Sequence, residues 1–229
     1  MRVTEQIVVI GAGGFGRETL DVIEAVIAEG ADYRLLGVVD ADPREVDLER
    51  LSARGIAYLG SEEQWLPSAP AGSRFIVAIG NPAVRETVAA RLLDARLRPI
   101  TVVHPRAVVG SCATIGEGVV ICSGVQVSTN VTLGDHVHLN PGCIIGHDAV
   151  LEPYVSTNPG AIVSGNVHVK ARTLLGAGSI VLQGLTVGND AIVGAAACVT
   201  KDVETALVVG GVPARELNRT TARLTHGGK

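Results

Sequence analysis

Residues 131–151 read VTLGDHVHLNPGCIIGHDAVL. Leu133, Leu139, Ile145 and Leu151 fall at every sixth position, and Val131, Val137, Cys143 and Ala149 stand two residues before each of them. The same register extends from Val109 to Val199 through sixteen positions, of which fifteen are aliphatic and only Thr157 is not. Helical side chains recur about every 3.6 residues and strand side chains about every 2, so a period of six is neither. It fits a coil with three flat sides, each side a short strand and each corner a turn. Both aliphatic registers then point inward. Hexapeptide repeats of this kind are the signature of a parallel β-helix, and residues 107–199 hold about five coils of roughly eighteen residues. An antiparallel sandwich is the competing reading, but its turns recur about every 8–12 residues.

Composition agrees with a narrow interior. The chain has 229 residues, 47% hydrophobic but only 3% aromatic, with 28 glycines. Aromatic rings are the largest pieces that an ordinary core buries. With two Phe, three Tyr and one Trp, this core is expected to be built from Val, Ile, Leu and Ala. The chain is too apolar for disorder, and it lacks the run of about 18 apolar residues that a membrane-spanning helix needs. Residues 1–10 carry Arg2 and Glu5 and lack the apolar stretch and cleavage site of a secretory leader. A net charge of −4 supplies no general attraction to nucleic acid. Cys112, Cys122, Cys143 and Cys198 include no C-x-x-C pair, so free thiols and a cytoplasmic location are expected. Cys143 lies in the inward register; the other three lie outside it and are expected at the surface.

The first hundred residues follow another pattern. Apolar runs at Ile7–Ile10, Leu35–Val39, Arg74–Ile79 and Ile100–Val103 read as strands. Helical stretches follow the first run, with Leu20, Ile23, Val26 and Ile27 on one face, and the third, over about 83–95. Strands alternating with helices imply a parallel sheet covered on both faces. The expected architecture is therefore a Rossmann-like α/β domain over 1–103, a β-helix over 104–200, and a C-terminal cap and tail over 201–229.

Gly11-x-Gly13-x-x-Gly16 follows a strand and opens a helix, the setting in which this motif cradles a phosphate or nucleotide. Asp40 ends the next strand, where a carboxylate can accept hydrogen bonds from a ribose or base. The motif alone would suggest NAD, yet a hundred residues are fewer than the two-half dinucleotide fold requires. A mononucleotide or nucleotide-sugar fits better. Among the histidines, His104 precedes Pro105 at the domain junction and His226 lies in a polar tail. His136, His138 and His168 fall outside the inward registers and are expected to face solvent or another subunit, or to share a metal. His147 stands at a coil corner beside Asp148, a carboxylate that can fix its tautomer and raise its basicity.

Taken together, the GAGGFG loop, Asp40, Ala78-Ile-Gly-Asn81 with Arg85, the hexapeptide repeats, the Gly146-His147-Asp148 corner, Ser164-Gly-Asn166 and Gly211-Val-Pro-Ala-Arg215 resemble the NeuD-type sugar O/N-acetyltransferases. The resemblance spans about residues 5–217. It implies a left-handed β-helix and a homotrimer with active sites between subunits, using acetyl-CoA and a nucleotide-linked sugar and no metal. His147 matches the family's catalytic base and Asp148 its adjacent acid. Gly13, Gly14, Phe15, Asp40, Ala41 and Gly80 match sugar-nucleotide contacts, and Ala177 and Ala195 match positions lining the CoA groove. Ser156 stands where some members carry a second histidine that contacts acetyl-CoA. Ala41 stands where some carry an aspartate, which leaves uracil and guanine both open.

The expected reaction is direct acyl transfer to the amino group of a UDP- or GDP-linked 4-amino-sugar, with His147 as general base. Lys201 and Arg215 are candidates for the CoA phosphates. O-acetylation of a sialic-acid-like sugar is the nearest alternative. An NAD-dependent oxidoreductase and a metal-binding β-helix built on His136, His138 or His168 are the others.

Overall fold

The computed structural model describes residues 4–217. Strands β1 (Glu5–Ile10), β2 (Tyr33–Val39), β3 (Arg74–Val77) and β4 (Arg98–Pro99) form a parallel sheet in the order β2–β1–β3–β4. Helices cover both of its faces, so Ile7, Val8, Val9 and Ile10 are all buried and no alternation is visible in β1. Helix α1 (Gly14–Ala28) turns Leu20 and Ile23 into this core. Two helices were not expected from the sequence. The first, α2 (Glu45–Ala53), buries only Asp47 and Leu51. The other, α3 (Glu62–Trp65), is four residues long and is started by a capping box between Ser61 and Gln64. Helix α4 (Pro82–Asp94) packs Val88, Ala89 and Leu92 on the sheet, with Asn81 as its N-cap.

Of the strand expected over Ile100–Val103, only Val102–Val103 forms, and a separate short strand precedes it. Arg98–Pro99 closes the sheet, whereas Val102–Val103 pairs with Val120–Ile121 and already belongs to the coil. The coil therefore begins two residues before the expected boundary at 104.

From there the chain winds as a three-sided parallel β-helix, confirming the six-residue reading. Strands at Val102, Val120, His138, Ser156, Leu174 and Ile192 build the first face; those at Val108, Gln126, Ile144, Ile162, Ile180 and Cys198 build the second; those at Thr114, Thr132, Val150, His168 and Thr186 build the third. Each strand pairs with the one eighteen residues on, as His138 does with Ser156. From Val119 to Val199 both inward registers are buried, with Leu185 half-buried. Thr157, the one polar residue of the sixth-position series, is fully buried and its hydroxyl donates to the His138 carbonyl at 3.2 Å, so the interior tolerates it; Thr173 and Ser179 of the second register are buried as well. Of the six aromatic residues only Tyr154 lies in the coil, at a corner.

The corners follow a second rule of six. Every sixth residue from Cys112 to Ala196 has a positive φ of 55–72°, the left-handed conformation that turns the chain sharply. At the C-terminal end Val203 bridges to Val187, Val208–Gly210 extends the first face and Arg215–Glu216 folds back antiparallel. Asn218 to Lys229, with His226, lie outside the described residues. At the other end the α/β domain packs along the first face rather than squarely across the first coil, where Val109 stays 38% exposed.

The register makes a quantitative claim. Ile145 is fully buried in the coil interior, so Ile145→Ala should cost about 2–5 kcal/mol. The urea midpoint should fall with little change in slope; a midpoint that does not move would mean that Ile145 points outward.

Candidate active site

The loops at the C-terminal ends of β1, β2 and β3 meet at one edge of the sheet, where ligands of open parallel sheets bind. Gly11 and Gly16 are there for packing. A Cβ on Gly16 would lie on the Gly11 carbonyl, and Gly11 itself has φ 116° with the Ala78 carbonyl 2.9 Å from its Cβ position. Gly13, Gly14 and Gly80 differ: a Cβ on any of them would meet nothing within 4 Å, so their surroundings are open to an incoming group. Asp40 accepts from the Ala12 and Asp42 amides at 2.7 and 3.0 Å. It thus ties the glycine loop to the end of β2, a structural duty the sequence did not reveal. Ala41 borders an open cavity of about 440 Å³ with Ser61, Glu63 and Arg91.

The same loops rest on the coil. Phe15 lies 4.5 Å, centroid to centroid, from His138. His136 stacks on Tyr154 at 5.2 Å and lies 6.1 Å from Phe75. His136 and His138 do leave the coil outward, but the α/β domain covers them and both are buried, which corrects the expectation of solvent-facing imidazoles. Burial and the nearby Arg85 charge lower His136 to about 4 and hold His138 well below the usual histidine range. Both rings are therefore neutral at pH 7. His168 is also engaged: its Nε2 meets the Glu152 carboxylate at 2.7 Å. Among the described residues no group of three or more His, Cys, Asp or Glu side chains could hold a metal.

Ser156 is buried on the first face. Its hydroxyl donates to the Gly80 carbonyl at 3.1 Å and accepts from Arg85 Nη2 at 3.0 Å. It thus joins Gly80 in the seam between the domains. Sequence reasoning quoted Arg85 within a motif and gave it no role; the side chain is fully buried.

His147 occupies the edge between the second and third faces. Its neighbour Asp148 is one of the left-handed corner residues, φ 59°, and this turn brings the Asp148 carboxylate to 2.7 Å from His147 Nδ1. Asn130, one coil below, donates to the other carboxylate oxygen at 3.0 Å. These two hydrogen bonds hold the Asp148 carboxyl below the usual range. A carboxylate only accepts, so Nδ1 carries a proton, and in the neutral ring Nε2 is the nitrogen that keeps its lone pair. The ring lies over Gly165 of the next coil, where a Cβ would sit 2.6 Å from Nε2. No side chain but hydrogen fits under the imidazole. With His147 59% exposed, Nε2 is a hydrogen-bond-oriented base at an accessible corner.

Ala177 and Ala195 are exposed and stack eighteen residues apart on the edge between the first and second faces. Lys201 and Arg215 line a cavity of about 380 Å³ at the C-terminal end with Asp202, Glu204 and Glu216, a mixed rather than a cationic lining. Cys112 is exposed, but Cys122 is buried and its thiol is pushed up to about 12, against the expectation of a surface thiol. No helix among the described residues is long and apolar enough to cross a membrane.

The profile of the PglD N-terminal domain family matches residues 6–92. GDP-perosamine N-acetyltransferase of Escherichia coli O157:H7 is 34% identical over 141 residues, 61% of each chain. UDP-N-acetylbacillosamine N-acetyltransferase of Bacillus subtilis (strain 168) is 31% identical over 118 residues, 51% of each chain. The alignments thus span about half to three-fifths of these curated relatives. A solved structure matches further: a histidine-to-asparagine variant of perosamine N-acetyltransferase from Caulobacter crescentus, in complex with CoA and GDP-perosamine. It superposes with a TM-score of 0.83 at 30% identity, covering 94% of this chain and 98% of that one.

The contacts around His147 predict a separable effect. The atoms facing Gly165 are the far end of a side chain, so Gly165→Ala should leave the coil folded but swing the imidazole away from Asp148. Asn130→Ala removes the second bond. Each variant should raise the Asp148 pKa toward that of an ordinary carboxylate, read by carboxyl-carbon NMR titration. A carboxyl that titrates as in the unchanged protein in both variants would contradict this geometry.

Proposed function

The chain belongs to the sugar acetyltransferase family, and we propose that it transfers an acetyl group from acetyl-CoA to the amino group of a nucleotide-linked amino-sugar. The observation that carries this reading is the His147–Asp148 pair. Its Nδ1 is held by the Asp148 carboxylate, which leaves Nε2 oriented at an exposed coil corner. In the reaction the amine nitrogen attacks the thioester carbonyl while His147 Nε2 takes its proton. The new C–N bond forms, the C–S bond breaks, and the proton passes to the departing CoA thiolate. Asp148 keeps the imidazole in the right tautomer and stabilises the imidazolium that forms. No acyl-enzyme is needed: Cys143 is buried in the coil with its thiol raised above the usual range by burial.

We assign the nucleotide to the open loops at Gly13, Gly14, Phe15, Asp40, Ala41 and Gly80. The crystallised Caulobacter relative holds GDP-perosamine and CoA together, which supports one site for both reactants. Acetyl-CoA runs along the edge of small residues that carries Ala177 and Ala195. The functional unit in this reading is a homotrimer, with sites between subunits. Ile144 and Leu182, which flank the His147 edge, are each more than 40% exposed, as apolar surface awaiting a partner is. Free thiols among the described residues agree with a cytoplasmic enzyme.

Removing the base tests the proposal directly. His147→Ala should lower kcat by about 10²–10⁴-fold, with the sedimenting mass of the assembly unchanged, when nucleotide amino-sugars and acetyl-CoA are assayed by release of free CoA. Undiminished turnover would exclude His147 as the base. A wild-type protein that sediments as a monomer yet turns over would exclude the shared site.

A further inference from the structure

Arg85 is a fully buried cation for which no carboxylate partner is found among the described residues. It lies in the first turn of α4, at the seam between the domains. Its N–H groups go to neutral oxygens. Nε donates to the His136 carbonyl at 3.0 Å, and Nη2 to the Tyr154 carbonyl at 2.6 Å and the Ser156 hydroxyl at 3.0 Å. Nη1 donates to the carbonyls of Ile79 at 2.7 Å and Gly80 at 3.4 Å. With the Val155 carbonyl, 3.4 Å from Nη2, four partners belong to the coil and two to the loop after β3. The rings beside it, His136 and His138, are neutral. No carboxylate among the described residues pairs with the guanidinium, and burial, opposed only by Tyr154, lowers it to about 9. It therefore stays protonated at pH 7. A buried charge without a counter-charge is costly, so this arrangement leaves room for an anion supplied from outside.

The place for that anion follows from the loop. The peptides joining Ile79, Gly80 and Asn81 are trans, so each N–H points opposite to its C=O. With the Ile79 and Gly80 carbonyls drawn inward to Arg85, the N–H groups of Gly80 and Asn81 face outward side by side. The space at Gly80 is open. Successive N–H groups that face one way form a concavity suited to an anion. Ser156 braces the same Gly80 carbonyl from the coil at 3.1 Å.

We propose that Arg85 is the positioning residue for the diphosphate of the nucleotide-sugar. It locks the Gly80 and Asn81 amides toward the phosphate oxygens and supplies the positive charge beneath them. The inference rests on the proposed function for the identity of the substrate, and makes the coil a part of the nucleotide site.

The test is calorimetric titration of UDP, GDP and acetyl-CoA into the full chain and its Arg85→Lys, Arg85→Gln and Ser156→Ala variants, at low and high salt. Lysine keeps the charge but loses the fork, so diphosphate affinity should fall about tenfold in Arg85→Lys. In Arg85→Gln it should fall about thirtyfold or more, with a flatter salt dependence. Acetyl-CoA affinity should stay within about twofold in both Arg85 variants, a split that a merely loosened fold would not give. Ser156→Ala buries no new charge and should fold even if the Arg85 variants do not. About threefold weaker diphosphate binding is expected there. Wild-type protein that binds neither UDP nor GDP would overturn the proposed function together with this inference. Wild-type binding that persists undiminished in Ser156→Ala and in whichever Arg85 variants fold would overturn this inference alone.

Discussion

The structure depends on one backbone demand: every sixth residue must turn left. For most residues this conformation costs about 1–2 kcal/mol, and Gly, Asn and Asp meet it most cheaply. Because each coil is eighteen residues long, the left-handed residues of successive coils stack in columns, one per edge. The edge between the first and second faces carries Gly124, Gly142, Gly160, Gly178 and Ala196; that between the second and third carries Cys112, Asn130, Asp148, Asn166 and Gly184; that between the third and first carries Gly118, His136, Tyr154, Arg172 and Asp190. One rule of backbone geometry therefore makes three edges of different chemistry: bare, polar and bulky.

The bulky edge is where strain concentrates. His136, Tyr154 and Arg172 gain nothing locally from a positive φ, yet these are the residues that meet the α/β domain. His136 and Tyr154 stack beneath Phe75, and Arg172 reaches Glu86 at 3.4 Å while it pairs with Asp190. Docking energy offsets the strain, as expected where distorted backbone persists because its surroundings hold it. Arg85 inserts between the same corners and takes the carbonyls of His136 and Tyr154. The seam thus fixes the nucleotide loops to a rigid column rather than to a flexible linker.

The coil was legible from sequence because its interior is so narrow that inward positions favour small residues, and Val, Ile, Leu, Ala and Cys recur there with few exceptions, Thr157, Thr173 and Ser179. His147 and Asp148 were legible as a corner pair, since adjacent residues need no tertiary information. The domain seam was not. His136, His138 and Cys122 leave the coil outward, and periodicity says which way a side chain points but not what covers it. Arg85 was opaque for the same reason, its partners being carbonyls fifty to seventy residues away. Asp40 was half legible: its position at a strand end was clear, but its prior hold on the Ala12 amide was not. Gly165 had a readable six-residue setting, but only the stacked coils show that its missing Cβ makes room for an imidazole.

The three parts of the proposed reaction lie on different sides of one prism. The open loops lie over the first face, Ala177 and Ala195 stand on the bare edge, and His147 stands on the edge opposite the first face. A β-helix cannot bend to bring them together, because each coil is hydrogen-bonded to the next along all three faces. In the proposed homotrimer, proximity of both reactants to the base, the largest saving available to a two-substrate transfer, comes from another copy of the chain. A contact between unlike surfaces makes a ring where its rotation closes, and the proposed homotrimer is such a ring. The sugar held by one subunit's loops can then reach the imidazole of the next. On this reading the exposure of His147 in the single chain is the mark of half a site, and the apolar Ile144 and Leu182 beside it are the surface that the neighbour covers.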